Sequence, residues 1–309
     1  MTTALITHPD CLAHVMPQGH PEQVARLEHI LAALEGRNLL RSDAPLVAED
    51  DLLRVHPKAH IEAIRAAAPD HGFAALDGDT FMSPGTLQAA HRAAGAGTCA
   101  VDLVLSGEAN NAFIACRPPG HHAEAAQAMG FCLYGTVAIA AKYALDHHGL
   151  SRVAVVDFDV HHGNGTQDLL ENDARILFCS SHQMPLFPGT GAAHETGAHG
   201  NVLNVPLADG TGSAEFRRLW ENLILPAVDG FAPELIIVSA GFDAHRADPL
   251  AGINLETADF AWITGKICDL ADKHCQGRVI SNLEGGYDLE ALSKSVSAHV
   301  DELIKREAL

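Results

Sequence analysis

The residues of this chain best equipped for chemistry run Asp157-Phe158-Asp159-Val160-His161-His162-Gly163. They follow the apolar stretch Val153-Ala154-Val155-Val156, which reads as a buried strand, and lead into Gly163-Asn164-Gly165, where the chain must turn. Side chains alternate along a strand, so Asp159 and His161 point the same way and can meet one cation. An oxygen donor beside a nitrogen donor suits zinc or ferrous iron. His162 points away from His161 and reads as structural.

Three more polar segments each follow an apolar run: Arg117-Pro118-Pro119-Gly120-His121-His122, Ser239-Ala240-Gly241-Phe242-Asp243-Ala244-His245, and Leu283-Glu284-Gly285-Gly286-Tyr287. Asp159, His161 and Asp243 would supply three ligands and leave positions open for water and a substrate carbonyl. Two carboxylates already neutralise a divalent ion, so a general base is needed as well. His121 and His122 are the candidates. One paired with Asp157 would be pushed towards imidazolium, and one paired with Asn164 would keep a pKa near its ordinary value. The neutral one can take a proton from water and give it to a leaving amine. Tyr287, after two glycines that let its loop approach closely, can donate to a developing oxyanion.

The elements that must position these residues follow from the apolar pattern. Strands are expected at Ala4–Ile6, Ala112–Ala115, Val153–Phe158, Ile176–Cys179, Val202–Val205, Leu235–Ser239 and Val279–Asn282. Helices are expected near 21–35, 57–67, 84–106, 130–148, 213–230, 256–275 and 288–306. Continuous apolar strands alternating with helices indicate an α/β fold with a mostly parallel sheet covered on both faces. In such a sheet the strand ends share one edge, where ligands bind. No linker, repeat or composition shift divides the chain, so residues 1–309 read as a single domain. The irregular stretch 181–201, rich in Gly, Pro and His, is long enough to be functional.

Composition bounds the function. Of the 309 residues 47% are hydrophobic and 19% charged, as in a globular protein. A net charge of −19 argues against nucleic-acid binding. The seven cysteines form no CxxC pair, so a reducing compartment fits. No basic-then-apolar leader opens the chain and no run reaches membrane-span length, so a cytoplasmic protein is expected.

Taken together, the motifs from Gly19-His20-Pro21-Glu22 to Tyr287 resemble the zinc-dependent histone deacetylase superfamily, in particular its class II and bacterial amidohydrolase branch. The resemblance implies a central sheet of eight strands. It implies zinc on Asp159, His161 and Asp243, with His122 as general base and then acid, and His121 as its electrostatic partner. Asp157 and Asn164 would back these histidines, and Tyr287 would be the transition-state donor. It further implies acyl-tunnel walls at Gly130, Phe131, Leu186 and Phe187, a rim carboxylate at Asp79, and Arg26 beside an acetate-exit cavity. A structural potassium ion would use Asp157, Asp159, His161, Ser180 and Ser181, and a second would fall around Leu170, Asp173, Ile176 and Asn201. The segment Pro21-Glu22-Gln23-Val24-Ala25-Arg26 departs from the family's usual wording. The expected activity is hydrolysis of an acetyl amide, on an acetylated lysine peptide or another acetylated amine, in a chain that can form homo-oligomers. An arginase-like ureohydrolase is disfavoured, because Gly163 stands where a bridging acid is needed. An acetylpolyamine amidohydrolase stays open, and a purely binding relative is disfavoured by Tyr287.

Overall fold

The computed structural model describes residues 2–306. Its ten strands are β1 (Thr3–Thr7), β2 (Leu40–Asp43), β3 (Ala74–Ala75), β4 (Phe81–Met82), β5 (Asn111–Ile114), β6 (Val153–Asp157), β7 (Ile176–Gln183), β8 (Val202–Leu207), β9 (Leu235–Ala240) and β10 (Val279–Leu283). Eight form one sheet in the order β2-β1-β5-β10-β9-β6-β7-β8, and every pairing in it is parallel. Strands β5, β6, β7, β9 and β10 are buried at every residue, as helices on both faces require.

The sheet's eighth strand, β2, has no apolar signal. Leu40-Arg41-Ser42-Asp43 is a largely exposed edge, paired only with β1, so it carries no apolar pattern. The short β3–β4 hairpin also escapes the sequence pattern, because two-residue strands carry no periodicity.

The helices are α1 (Ala25–Ala33), α2 (Glu49–Leu52), α3 (Lys58–Ala67), α4 (Thr86–Ser106), α5 (Thr136–Asp146), α6 (Asn164–Leu170), α7 (Ser213–Leu219), α8 (Leu225–Phe231), α9 (Thr257–Cys275) and α10 (Leu289–Lys305). Helices α4 and α5 pack together on one face of the sheet, and α9 and α10 pack together on the other, with α1 against α10. The α9 start is a capping box between Glu256 and Asp259, and Asp288 caps α10 by accepting from the Ala291 N–H at 2.8 Å. A π-helical turn, Trp220–Ile224, separates α7 from α8 where the sequence suggests one helix over 213–230.

Two departures bear on the site. The helix expected from residue 130 starts at Thr136, because Gly130 and Phe131 take left-handed φ values of 55° and 69° and form a tight turn. A Cβ on Gly130 would lie 2.5 Å from the His122 ring, so glycine is needed for that turn to close on the histidine. The expected turn at Gly163-Asn164-Gly165 is instead the start of α6, which aims Asn164 back at the strand ends.

A candidate metal-centred active site at the strand ends

The four motifs meet where β5, β10, β9 and β6, adjacent in the sheet, end side by side. The chain fills β5 and β6 first and inserts β9 and β10 between them later. This reversal of strand order is where open parallel sheets gather their ligands.

His161 Nδ1 lies 3.2 Å from Asp159 Oδ1 and 3.1 Å from Asp243 Oδ2. The three donor atoms are buried within 4.8 Å of one another. Neighbouring glycines make the room: a Cβ on Gly241 would sit 1.9 Å from Asp159 Oδ2, and one on Gly285 would sit 2.1 Å from Asp243 Oδ2. Burial pushes the His161 pKa down, but its hydrogen bonds to the two carboxylates outweigh that and raise the value to about 10. Burial likewise works against Asp159, yet the neighbouring His121 and His161 hold its carboxyl well below the usual range. Two buried carboxylates closing on one imidazole make a cradle that draws positive charge, and oxygen and nitrogen donors fit a zinc-like divalent ion.

The adjacent imidazoles His121 and His122, ring centroids 3.9 Å apart, have different partners. His121 Nδ1 donates to Asp157 Oδ2 at 3.1 Å. Burial lowers its pKa, but Asp159 and Asp157 carry it up to about 10. His122 Nδ1 donates to Asn164 Oδ1 at 2.8 Å, and the Asn164 amide donates to Glu124 at 2.7 Å, which orients it. Burial, with His121 and His161 alongside, holds His122 well below its ordinary value. An Asn partner therefore does not leave His122 near 6.5, because the Asp159 charge and the Asn164 hydrogen bond are outweighed by desolvation and the two neighbouring imidazoles. It stays neutral, with Nε2 as its free, basic nitrogen.

Tyr287 sits edge-on to Phe131 at 6.0 Å and lines a cavity of about 360 Å³ with His122 and His161. The same cavity is walled by Gly130, Phe131, Leu186 and Phe187, and carries Asp79 in its lining. A chain running from Gly19-His20-Pro21-Glu22 through four strand-end motifs to such a slot has recognisable relatives.

The profile described as "Histone deacetylase domain" matches residues 20–303. The chain belongs to the histone deacetylase family. It is 39% identical to histone deacetylase 14, chloroplastic, of Arabidopsis thaliana, over 94% of this chain and 74% of that one. It is 42% identical to a histone deacetylase-like amidohydrolase of Pseudomonas aeruginosa, over 86% of this chain and 71% of that one. The crystal structure of the HDA15 HD domain superimposes with a TM-score of 0.93 at 34% identity, covering 98% of this chain and 88% of that one.

Other expected residues of this deacetylase-family chain lie apart from the slot. Arg26 is wholly buried behind Tyr287 and does not line the cavity. Its Nε donates to Gly286 O and its Nη2 to Glu284 O, both at 2.6 Å, and its guanidinium lies 4.9 Å from the Tyr287 ring centroid. Glu22 answers it at 2.9 Å and also binds Arg117 through both carboxylate oxygens at 2.5 Å. Arg26 thus braces the tyrosine loop from behind. Ser180 is the register partner of Asp157, and its Oγ shares a hydrogen bond with His182 Nδ1 at 2.9 Å, while Ser181 Oγ accepts from Trp220 Nε1 at 3.0 Å. Asn201 donates to the backbone oxygens of Asp173 and Ile176 at 3.2 and 3.0 Å, and Leu170 is buried nearby. The Asp173 carboxylate is taken by Lys142 and Arg175, leaving its backbone oxygen for that cluster.

Four contributors have no role in the sequence reading. His20 and Leu250 line the cavity, and His20 packs edge-on to Phe131 at 4.7 Å. Glu284 is buried and accepts from the N–H groups of Gly120 and His121 at 2.8 and 3.1 Å, fixing the histidine loop to the tyrosine loop. Its place inside the Leu283–Tyr287 motif is the one signal that singles it out. Asp248 does the same for Tyr287, accepting its N–H at 2.7 Å.

Proposed function

We propose that this protein is a zinc-dependent amidohydrolase that cleaves the acetyl group from an acetylated lysine side chain, releasing acetate and the free amine. The observation that carries the reading is the meeting of the buried Asp159–His161–Asp243 cradle and the His121–His122 pair with an apolar slot lined by His122, His161 and Tyr287. Zinc on the three ligands would polarise the substrate carbonyl and lower the pKa of a water molecule.

The remaining steps belong to the chain's own residues. Walls of Phe131, Phe187, Leu186 and Gly130 suit an uncharged aliphatic stem and keep water from it. His122 Nε2 takes the proton of the attacking water, with Asn164 holding the tautomer, and returns it to the amine nitrogen as the C–N bond breaks. His121, held as imidazolium by Asp157, stabilises the charge that develops beside it. The Tyr287 hydroxyl donates to the tetrahedral oxyanion; burial keeps its pKa well above the ordinary value, so it remains a donor. Asp79 at the slot accepts from substrate backbone N–H groups. Potassium on the Asp157–Ser180 side would brace the β6 end.

The proposal includes a reducing, cytoplasmic setting, consistent with seven free cysteines. No helix among the described residues is long and apolar enough to cross a membrane. A second reading, acetylpolyamine hydrolysis, draws on the net charge of −19. The test is acetate release by zinc-loaded protein from acetyl-lysine peptides and N-acetylated polyamines, side by side, with a hydroxamate control. Hydroxamate-sensitive release from peptides is the expected result. Release mainly from polyamines would move the substrate class, and none from either would overturn the hydrolytic reading.

A further inference from the structure

A second set of metal-ligating side chains lies on the surface, where the last turns of α4 meet the end of α5. Asp102 belongs to α4, His147 caps the C-terminus of α5, and His148 follows it. Their donor atoms lie within 4.8 Å of one another, and His148 Nε2 is 2.7 Å from Asp102 Oδ1. None of the three contributes to the slot described above.

We propose that Asp102, His147 and His148 form a second metal site, for a transition-metal ion of the zinc, nickel or copper(II) class. Two imidazoles and one carboxylate select such ions over magnesium or calcium, which prefer all-oxygen sets. A tetrahedral ion with bonds of about 2.1 Å needs donors roughly 3.4 Å apart. Exposed side chains reach that spacing by small rotations, with the His148–Asp102 hydrogen bond giving way to two bonds to the ion. The C-terminus of α5 adds the negative end of a helix dipole, which favours a cation there.

The site also has a supporting layer, which a chance cluster lacks. The Tyr143 hydroxyl donates to Asp102 Oδ1 at 3.1 Å, and the Tyr143 ring stacks on His147 with centroids 4.6 Å apart and planes 10° from parallel. One tyrosine thus orients two of the three ligands. Outer partners of this kind hold ligands ready for the ion. Because the donors come from two helices, the ion would tie α4 to α5 and stabilise the folded chain in proportion to its occupancy. The site stands independently of the proposed hydrolysis.

The experiment is calorimetric titration of nickel(II) chloride into zinc-loaded protein cleared of loosely held metal, with melting temperature read alongside. The wild type is expected to take up one further equivalent and to melt higher with nickel. His147→Ala/His148→Ala should lose both effects while melting as the wild type does without nickel. Tyr143→Phe should keep the site but weaken it about tenfold. A wild type that takes no further equivalent overturns the proposal, and so does a double variant that binds nickel as the wild type does.

Discussion

Two adjacent imidazoles acquire opposite characters from the single atom behind each Nδ1. A carboxylate, Asp157, stands behind His121, and an amide oxygen, Asn164, stands behind His122. The difference can be inverted. Asn164→Asp would place a negative charge on the His122 partner and raise a pKa that burial now holds down. A base with a higher pKa is protonated at higher pH, so the acid limb of kcat/KM should move up by about one unit or more. An unmoved limb would remove His122 as the base. Tyr287→Phe tests the other partner of the reaction. It should lower kcat about a hundredfold, the usual cost of an oxyanion donor, while zinc content stays unchanged. A kcat within a few-fold of wild type would show that the hydroxyl is a bystander.

Between elements, the recurring device is a buried carboxylate gripping the backbone of a neighbouring loop. Glu284, just past β10, holds the loop after β5 through the N–H groups of Gly120 and His121, and its second oxygen accepts from Asn282 at 2.7 Å. If reach matters more than charge, Glu284→Gln should keep most of the activity, because a carbonyl oxygen can still accept both N–H groups. Glu284→Asp keeps the charge but shortens the arm by one methylene, and should lower kcat at least tenfold and speed amide exchange at Gly120 and His121. The reverse ranking would make Glu284 an electrostatic residue. Positions such as this one explain what the sequence conceals. The cradle residues and the histidine pair are legible because each motif closely follows an apolar run, although β6 ends at Asp157, so Asp159 and His161 meet in the bend beyond the strand and not through its alternation. The eight-stranded sheet is legible only through family resemblance, since β2 is an exposed edge without an apolar pattern. Arg26, Leu250 and Glu284 get their surroundings from segments distant in the chain. Arg26 sits on a short first helix, where its spacing suits a surface arginine as well as one buried against Gly286.

At the scale of the whole molecule, histidine chemistry reaches beyond the slot. His56, His162, His182 and His299 are buried, and burial lowers their pKa values to about 4, 3, 4 and 3. In the unfolded chain each would titrate near 6.5. Below that pH the unfolded state binds more protons, so their share of stability is intact above about 6.5 and drains away as pH falls towards the folded values. Asp248 pulls the other way, because burial raises it to about 7 and the folded state then holds the extra proton. The overall slope is a sum of opposing groups, and a single substitution separates one of them. His299 is the cleanest choice. It shares hydrogen bonds with Thr264 at 2.6 Å and Ser281 at 2.8 Å, ringed by Phe113, Phe158 and Phe242. His299→Gln cannot take up the proton, so its stability relative to wild type should improve as pH falls from 6.5 to 5. The expected gain is about 1.4 kcal/mol per pH unit once below the unfolded value. Urea unfolding of both proteins across that range measures the difference directly, with all shared titrations cancelling. A constant difference would mean that His299 is already protonated in the fold, and that its two hydroxyl partners offset its burial.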